Sequence, residues 1–454
     1  MMDLLLKLGA FLVAIIVLVT VHEFGHFWVA RRLGVKVLRF SIGFGRPLLT
    51  WRRRADPTEY VIAAIPAGGY VKMLDEREEP VPEAELGQAF NRQKLWVRSA
   101  IVVAGPAFNF LFAFLLYWLL FMVGQSGLKP EIGEVAPQSI AAKAGFESGD
   151  LVLEVDERPT PTWNAVWLTT LSEGIGGDDL SIRIRRPDGS EQVHVLDGDL
   201  LADLEPGQGF LDAIGLQRAS PLIPAVIGEL VPGEPAAEAG LKIGDQVLQV
   251  DGVEMSDWQA LVETVQAHPD QVLRLLIQRG AERLTLSIRP RSVEVDGGQS
   301  GRIGAGVQFP DELLAEQEVW VSYGPVEAIG QAARRVVDVS VLTLQIVGKM
   351  LVGKASVENI SSPIGIANAA GQTASYGLSS FVQFLALLSV SLGLINLFPI
   401  PVLDGGHLLY FAIEGAIGRP LSEAVQEQGQ RIGIALLISL MALAFYVDIA
   451  RFLS

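Results

Sequence analysis

The sequence predicts a polytopic α-helical membrane protein: four transmembrane helices, two small extracytoplasmic α/β domains and a cytoplasmic-side β-hairpin. Three observations predict it. Four apolar stretches, 4–30, 97–123, 378–402 and 432–453, are each long enough to cross a hydrocarbon core of about 30 Å. Residues 31–54 hold Arg31, Arg32, Lys36, Arg39, Arg46, Arg52, Arg53 and Arg54 with no acid among them. A stretch of the segment between the second and third spans repeats itself without a gap 95 residues later.

Composition agrees. Half of the 454 residues are hydrophobic and 19% are charged, below the roughly 25% of globular chains. The net charge of −16 argues against a nucleic-acid partner. The chain has no cysteine, which excludes disulfides, thiolate nucleophiles and cysteine-type zinc sites.

The first span (1–31) is read as a membrane helix and not a cleaved leader, because its apolar run is long and no small-residue cleavage site follows. It carries "VHEFGH" (21–26). Residues four apart share a helix face, so His22 and His26 can reach one zinc ion. Glu23 is placed to take a proton from water held there. Ionisable residues inside a span are costly and point to function. The basic segment that follows (32–96) belongs on the cytoplasmic side, where it also suits the headgroups of the lipid bilayer. Within it "EYVIAAIPAGGYVKML" (59–74) reads as strand, turn, strand: a hairpin turning at Gly68 and Gly69, with Tyr70 opening its second arm. The second span (97–124) returns outward.

The repeat pairs "GEVAPQSIAAKAGFESGDLVLEVD" (133–156) with "GELVPGEPAAEAGLKIGDQVLQVD" (228–251). Each copy reads as strand, turn, short Ala-rich helix, Gly-Asp, strand, giving domains at 126–220 and 221–309. The pattern resembles a PDZ domain of the permuted bacterial type. Such modules bind peptides along a sheet edge, which places candidate carboxylate-binding turns near Gly215 and Gly304; a purely steric cap is the other reading. Residues 310–375 have apolar positions at helical spacing interrupted by charges, and are read as one or two amphipathic helices at the membrane surface.

The third span (376–404) holds "NLFPIPVLDGGH" (396–407). Pro399 and Pro401 break it, and a broken helix followed by an acid can present a ligand. Asp404 is therefore the expected third metal ligand, ahead of the neighbouring His407. His22 lies about 27 Å along a helix entering from outside, at a depth similar to Asp404. The fourth span (430–454) leads out, leaving both termini outside.

The His-Glu-x-x-His span, the tandem repeats and the Asn-x-x-Pro-x-Pro-x-x-Asp-Gly span together resemble the site-2 protease family of intramembrane zinc metalloproteases, over essentially the whole chain. The resemblance implies zinc bound by His22, His26 and Asp404, with Glu23 as catalytic base. It implies substrate contacts from Asn396, Pro399 and Pro401. Gly43 and Gly45 match the family's membrane-associated Gly-x-Gly element, and Gly68, Gly69 and Tyr70 match its reentrant hairpin. One departure is Ser391, where the family often has Asn. The resemblance further implies a multi-pass protein of a bacterial inner membrane, its active site near the cytoplasmic face and its PDZ pair in the periplasm acting as a size filter. The implied substrates are single-span proteins already trimmed outside, such as an anti-sigma factor of an envelope stress response, and remnant signal peptides. A membrane-anchored PDZ scaffold or a metal transporter without proteolytic activity are the alternatives.

Overall fold

The computed structural model describes residues 2–53, 56, 58–207, 209–220, 223–295, 298–308, 317–353, 355–356 and 361–453. Arg54 of the basic run and residues 310–316 and 357–360 of the surface segment lie outside these. Among the described residues, four helices are long and apolar enough to cross a membrane, which fits a polytopic membrane protein. They are α1 (Met2–Arg32), α2 (Leu95–Val123), α11 (Leu378–Asn396) and α13 (Glu423–Leu453). Helix α2 is the hub: it packs on α1, on α11, on α9 (Pro325–Leu351) and on α12 (Asp404–Ile417). Its crossing with α1 is close because Gly25 leaves no side chain to meet the Ala104 carbonyl.

Two strands follow α1: β1 (Val37–Arg52) and β2 (Glu59–Met73). Both fold back on themselves. Ile42 faces Gly69 on one side and Ile62 on the other, while Trp51 faces Tyr60. Residues 37–42 therefore lie between 69–73 and 59–62, and 47–52 closes the far edge. The two arms of the expected hairpin at 59–74 are not each other's partners, because the segment 37–42 separates them. The bend of β1 passes through Gly43 and Gly45, whose φ angles of 91° and 84° favour glycine.

At the far end of α2 the short strand β3 (Gln125–Leu128) pairs with β18 (Glu318–Val321), placing Leu128 opposite Glu318. Between them sit the two repeat units. In the first, β4 (Ile132–Val135), α3 (Ile140–Ala144), β5 (Leu151–Val155), β6 (Arg158–Pro159) and α4 (Trp163–Gly174) precede β7 (Leu180–Arg185), β8 (Glu191–Leu196) and, after α5 (Gly198–Ala202) and α6 (Phe210–Ile214), β9 (Leu216–Arg218). In the second, β10 (Ile227–Leu230), α7 (Pro235–Glu238), β11 (Gln246–Val250), β12 (Val253–Glu254) and α8 (Trp258–Gln266) start 95 residues after their counterparts. There β13 (Leu273–Arg279), β14 (Glu282–Ile288), β15 (Arg291–Val295), β16 (Gly298–Arg302) and β17 (Ala305–Val307) complete the unit.

Both units form a four-stranded sheet, β6-β5-β7-β8 and β12-β11-β13-β14, with separate pairs β4-β9 and β10-β17. The repeated residues have matching tasks. Thr162 and Asp257 cap α4 and α8. Asp150 and Asp245, both buried, accept hydrogen bonds from the backbone N–H of Glu147 and Lys242, closing the turn after each short helix. In the second unit a groove of about 280 Å³ runs between α8 and the segment leading into β17, with Gly304 on its wall.

Helix α9 is amphipathic, as its spacing predicts, and packs one face while Val326, Val337 and Leu351 stay exposed. Ala332 and Val339 pack with Tyr117 and Leu120 of α2, and Leu342 joins the core of the first unit. Arg158 of that unit also pairs with Asp338 of α9. A second helix, α10 (Pro363–Ser375), packs on α1. Its first turn is held by α13: the Asp448 carboxylate accepts from the N–H groups of Ser362 and Gly365. The third apolar stretch is interrupted before Asp404, which opens a further helix. Helix α11 ends at Asn396, an irregular stretch of 397–403 follows, and α12 begins at Asp404. Helix α13 begins at Glu423, several residues before its apolar run.

Candidate active site

His22 and His26 sit one turn apart on α1, and their Nε2 atoms are 3.2 Å from each other. His26 Nδ1 lies 2.8 Å from the Ile101 carbonyl of α2. A carbonyl only accepts, so the proton is on Nδ1 and the Nε2 lone pair faces inward. The inward faces meet Asp404 Oδ2, at 3.2 Å from His22 Nε2 and 3.5 Å from His26 Nε2.

Asp404 reaches this point because α12 starts there. Its first-turn position suits a carboxylate, since helix N-termini favour negative charge. Gly405 and Gly406 bring the start of α12 against the chain that precedes it. A Cβ on Gly405 would overlap the Phe398 and Leu397 carbonyls, and one on Gly406 would overlap Ile400. The two prolines thus shape an irregular stretch that folds back under the new helix.

Asp404 Oδ2 is buried and makes no regular hydrogen bond. Once both Nε2 atoms are deprotonated, these converging electron-rich atoms repel unless a cation joins them. Ligands about 2.05 Å from a tetrahedral centre stand about 3.3 Å apart, and the three separations here are 3.2, 3.2 and 3.5 Å. His22, His26 and Asp404 therefore fit a small divalent ion with a fourth position left open. His407 is not part of this group.

Helix α2 forms the back wall. Gly105 leaves space for the imidazoles: a Cβ there would overlap His26 and come within 2.8 Å of His22 Cε1. Four residues on, the fully buried Asn109 places its amide 3.1 Å from His22 Nδ1. Sequence reading passed over Asn109; the signal was a lone amide inside an apolar run beside Pro106. Farther along, Arg98 forms a two-pronged ion pair with Glu414 of α12 and lies 4.9 Å from the Phe411 ring centre, tying α12 to α2.

The other anticipated residues fall into two groups. Glu23 lies within electrostatic reach of His22, His26 and Asp404. It also borders the sheet: a Cβ on Gly69 would stand 3.0 Å from Glu23 Cγ and 2.8 Å from the Ser41 carbonyl. Gly68 gives room to the Phe44 ring, and Tyr70 stacks on that ring and accepts from Arg39. Gly43 packs against the Ile65 carbonyl. The second group is the irregular stretch. Asn396 is the last residue of α11, Pro399 is exposed, and Pro401 lies against Gly406 and Gly433 of α13.

The profile of peptidase family M50 matches residues 10–440. The chain is 45% identical over 458 residues to the protein named Protease RseP of Yersinia pestis, covering 99% of this chain and 100% of that one. It is 44% identical over 457 residues to the Regulator of sigma-E protease RseP of Escherichia coli, with the same coverage. The Salmonella typhimurium protein of that name is also 44% identical, over 461 residues.

Proposed function

The chain belongs to peptidase family M50, and from that premise we propose that it is a zinc-dependent endopeptidase cutting single-span membrane proteins inside their transmembrane segment. The observation that carries the reading is the convergence of His22 Nε2, His26 Nε2 and Asp404 Oδ2 at near-tetrahedral separations, with both histidines on a helix apolar enough to span a membrane.

Zinc, when bound by these three side chains, supplies a Lewis acid that polarises the scissile carbonyl and lowers the pKa of water. Glu23 takes the proton of the attacking water and returns it to the leaving amine. Asn396 hydrogen-bonds the substrate backbone near the reacting carbonyl. A transmembrane helix hides its own carbonyls, so the substrate must be drawn out as a strand. The outer edge of residues 69–73 pairs with no other strand among the described residues and borders Glu23, so it is suited to receive one. The bend at Gly43 and Gly45, and the turn at Gly68, Gly69 and Tyr70, hold that edge in place; Pro399 and Pro401 shape the opposite wall.

The basic residues of 31–53 face the cytoplasm, so the site lies near the cytoplasmic side of a bacterial inner membrane and both termini are periplasmic. The repeat units are then periplasmic PDZ-like domains that exclude substrates still carrying a bulky outer part. Relatives are named for the regulation of sigma-E, which favours an anti-sigma factor as substrate; remnant signal peptides are a second class. A scaffold or transporter would leave Glu23 without a task.

The test is cleavage in detergent of a trimmed single-span substrate by wild type and by Glu23→Gln, with zinc measured in both. Cleavage within the span by wild type, and a 10²- to 10⁴-fold loss with zinc retained in the variant, is expected. Absence of zinc from wild type would sink the reading.

A further inference from the structure

Asn109 has no place in the chemistry above, yet it is fully buried in the wall of the site. Its carboxamide Nδ2 lies 3.1 Å from His22 Nδ1. Its backbone carbonyl accepts from Ser389 Oγ of α11 at 2.8 Å, and a Cβ on Gly393 would stand 3.3 Å from Asn109 Cβ. The residue is thus clasped between α1 and α11, with its amide aimed at one imidazole nitrogen.

The two histidines are treated differently. His26 Nδ1 meets a backbone carbonyl, which can only accept, so its metal-binding tautomer is built in. His22 Nδ1 meets a side-chain amide, which can donate through Nδ2 or accept through Oδ1. A metal at His22 Nε2 requires the proton on Nδ1, and therefore an acceptor facing it. Asn109 Nδ2 faces His22 here while Oδ1 is buried without a partner, so Oδ1 is free to turn to that proton. Oxygen and nitrogen of the amide occupy nearly the same volume, and a half-turn about the Cβ–Cγ bond exchanges them.

Building on the zinc reading above, we propose that Asn109 is a positioning residue. Its side-chain oxygen accepts from His22 Nδ1–H when zinc is bound, holding the imidazole in the tautomer and orientation that ligation needs. Metal binding is then coupled to the orientation of one amide. The same amide can donate to Nδ1 when His22 carries its proton on Nε2, so either tautomer finds a partner.

The test uses the full chain in detergent. Zinc retained against increasing concentrations of a chelator is measured for wild type, Asn109→Leu and Asn109→Asp, beside the melting temperature of each zinc-stripped protein. Leucine fills similar space and offers no acceptor; aspartate offers only an acceptor. Asn109→Leu is expected to release zinc 10- to 100-fold more readily, and Asn109→Asp to hold it at least as well as wild type. The zinc-stripped melting temperature should not track this order. Zinc held by the leucine variant as in wild type would overturn the assignment. So would a tenfold weakening in the aspartate variant with an unchanged melting temperature, a result that stands even where the leucine variant does not fold. Wild type without zinc would instead overturn the reading of the site itself.

Discussion

Gly105 of α2 lies directly against the imidazole of His26, with no room for a methyl group between them. The wall of the site is therefore set by an absent side chain. Gly105→Ala should push His26 off its line to His22 and Asp404. Overpacking of this kind costs about 1–3 kcal/mol in stability, but the larger effect should be on the site. Zinc affinity is expected to fall by about tenfold or more, read by chelator competition. An alanine variant with full zinc affinity would show that α2 can shift away.

Arg98 and Glu414 fix the other end of the same wall. Their side chains are only 12% and 18% exposed. Removing one partner of such a pair leaves an unpaired charge, a loss of about 3 kcal/mol. Glu414→Leu should lower the melting temperature and, because α12 carries Asp404, weaken zinc binding. Arg98→Met combined with Glu414→Leu should recover most of the stability, since no charge is then stranded.

Asp245 should make the second repeat unit sensitive to acid. Hydrogen bonds from Arg279 hold its carboxyl below the usual range against the cost of burial, with help from the Lys242 N–H. A depressed folded-state pKa gives stability that is complete above the unfolded value of about 3.9 and is lost as pH falls through the folded one. Protease resistance of this unit should hold from pH 7 to about 5 and fall below about 4. Asp245→Asn should lower its stability by about 2 kcal/mol at neutral pH and flatten the profile. An unchanged acid profile in that variant would assign the effect to other carboxylates.

The pairing of Leu128 with Glu318 defines a clean place to remove both repeat units. Residues 129–317 can be replaced by an Asn-Gly turn, with Leu342 and Ile346 made polar because the first unit covers them. Full-length substrate should then be cut at a rate near that of trimmed substrate. Continued exclusion would mean that selection by size resides elsewhere.

The motif at His22 was legible because two histidines four apart have one geometric meaning on a helix, and the repeat because its capping residues and buried aspartates recur at a constant offset. The sheet was not. Residues 59–65 and 69–73 read locally as partners, and nothing in that window announces that 37–42 comes between them. The arginines of β1 also obscure its alternation, so in sequence it reads only as a basic segment. Helix α12 was missed for a related reason. Asp404-Gly-Gly reads as the end of a broken helix, whereas the glycines serve the close approach of a new one. Asn109 carried only the faint mark of an amide among apolar neighbours, and its meaning depends on a histidine 87 positions away.

Asp404 has a second consequence, in time rather than in space. His22 and His26 are made before Asp404, which follows His26 by 378 positions. At about 5–20 residues per second of synthesis, the third donor arrives about 20–75 s after the first two. A nascent chain thus cannot assemble the three-donor set until both repeat units have been made. The protein is built so that the parts proposed to choose its substrate exist before the part able to cut it.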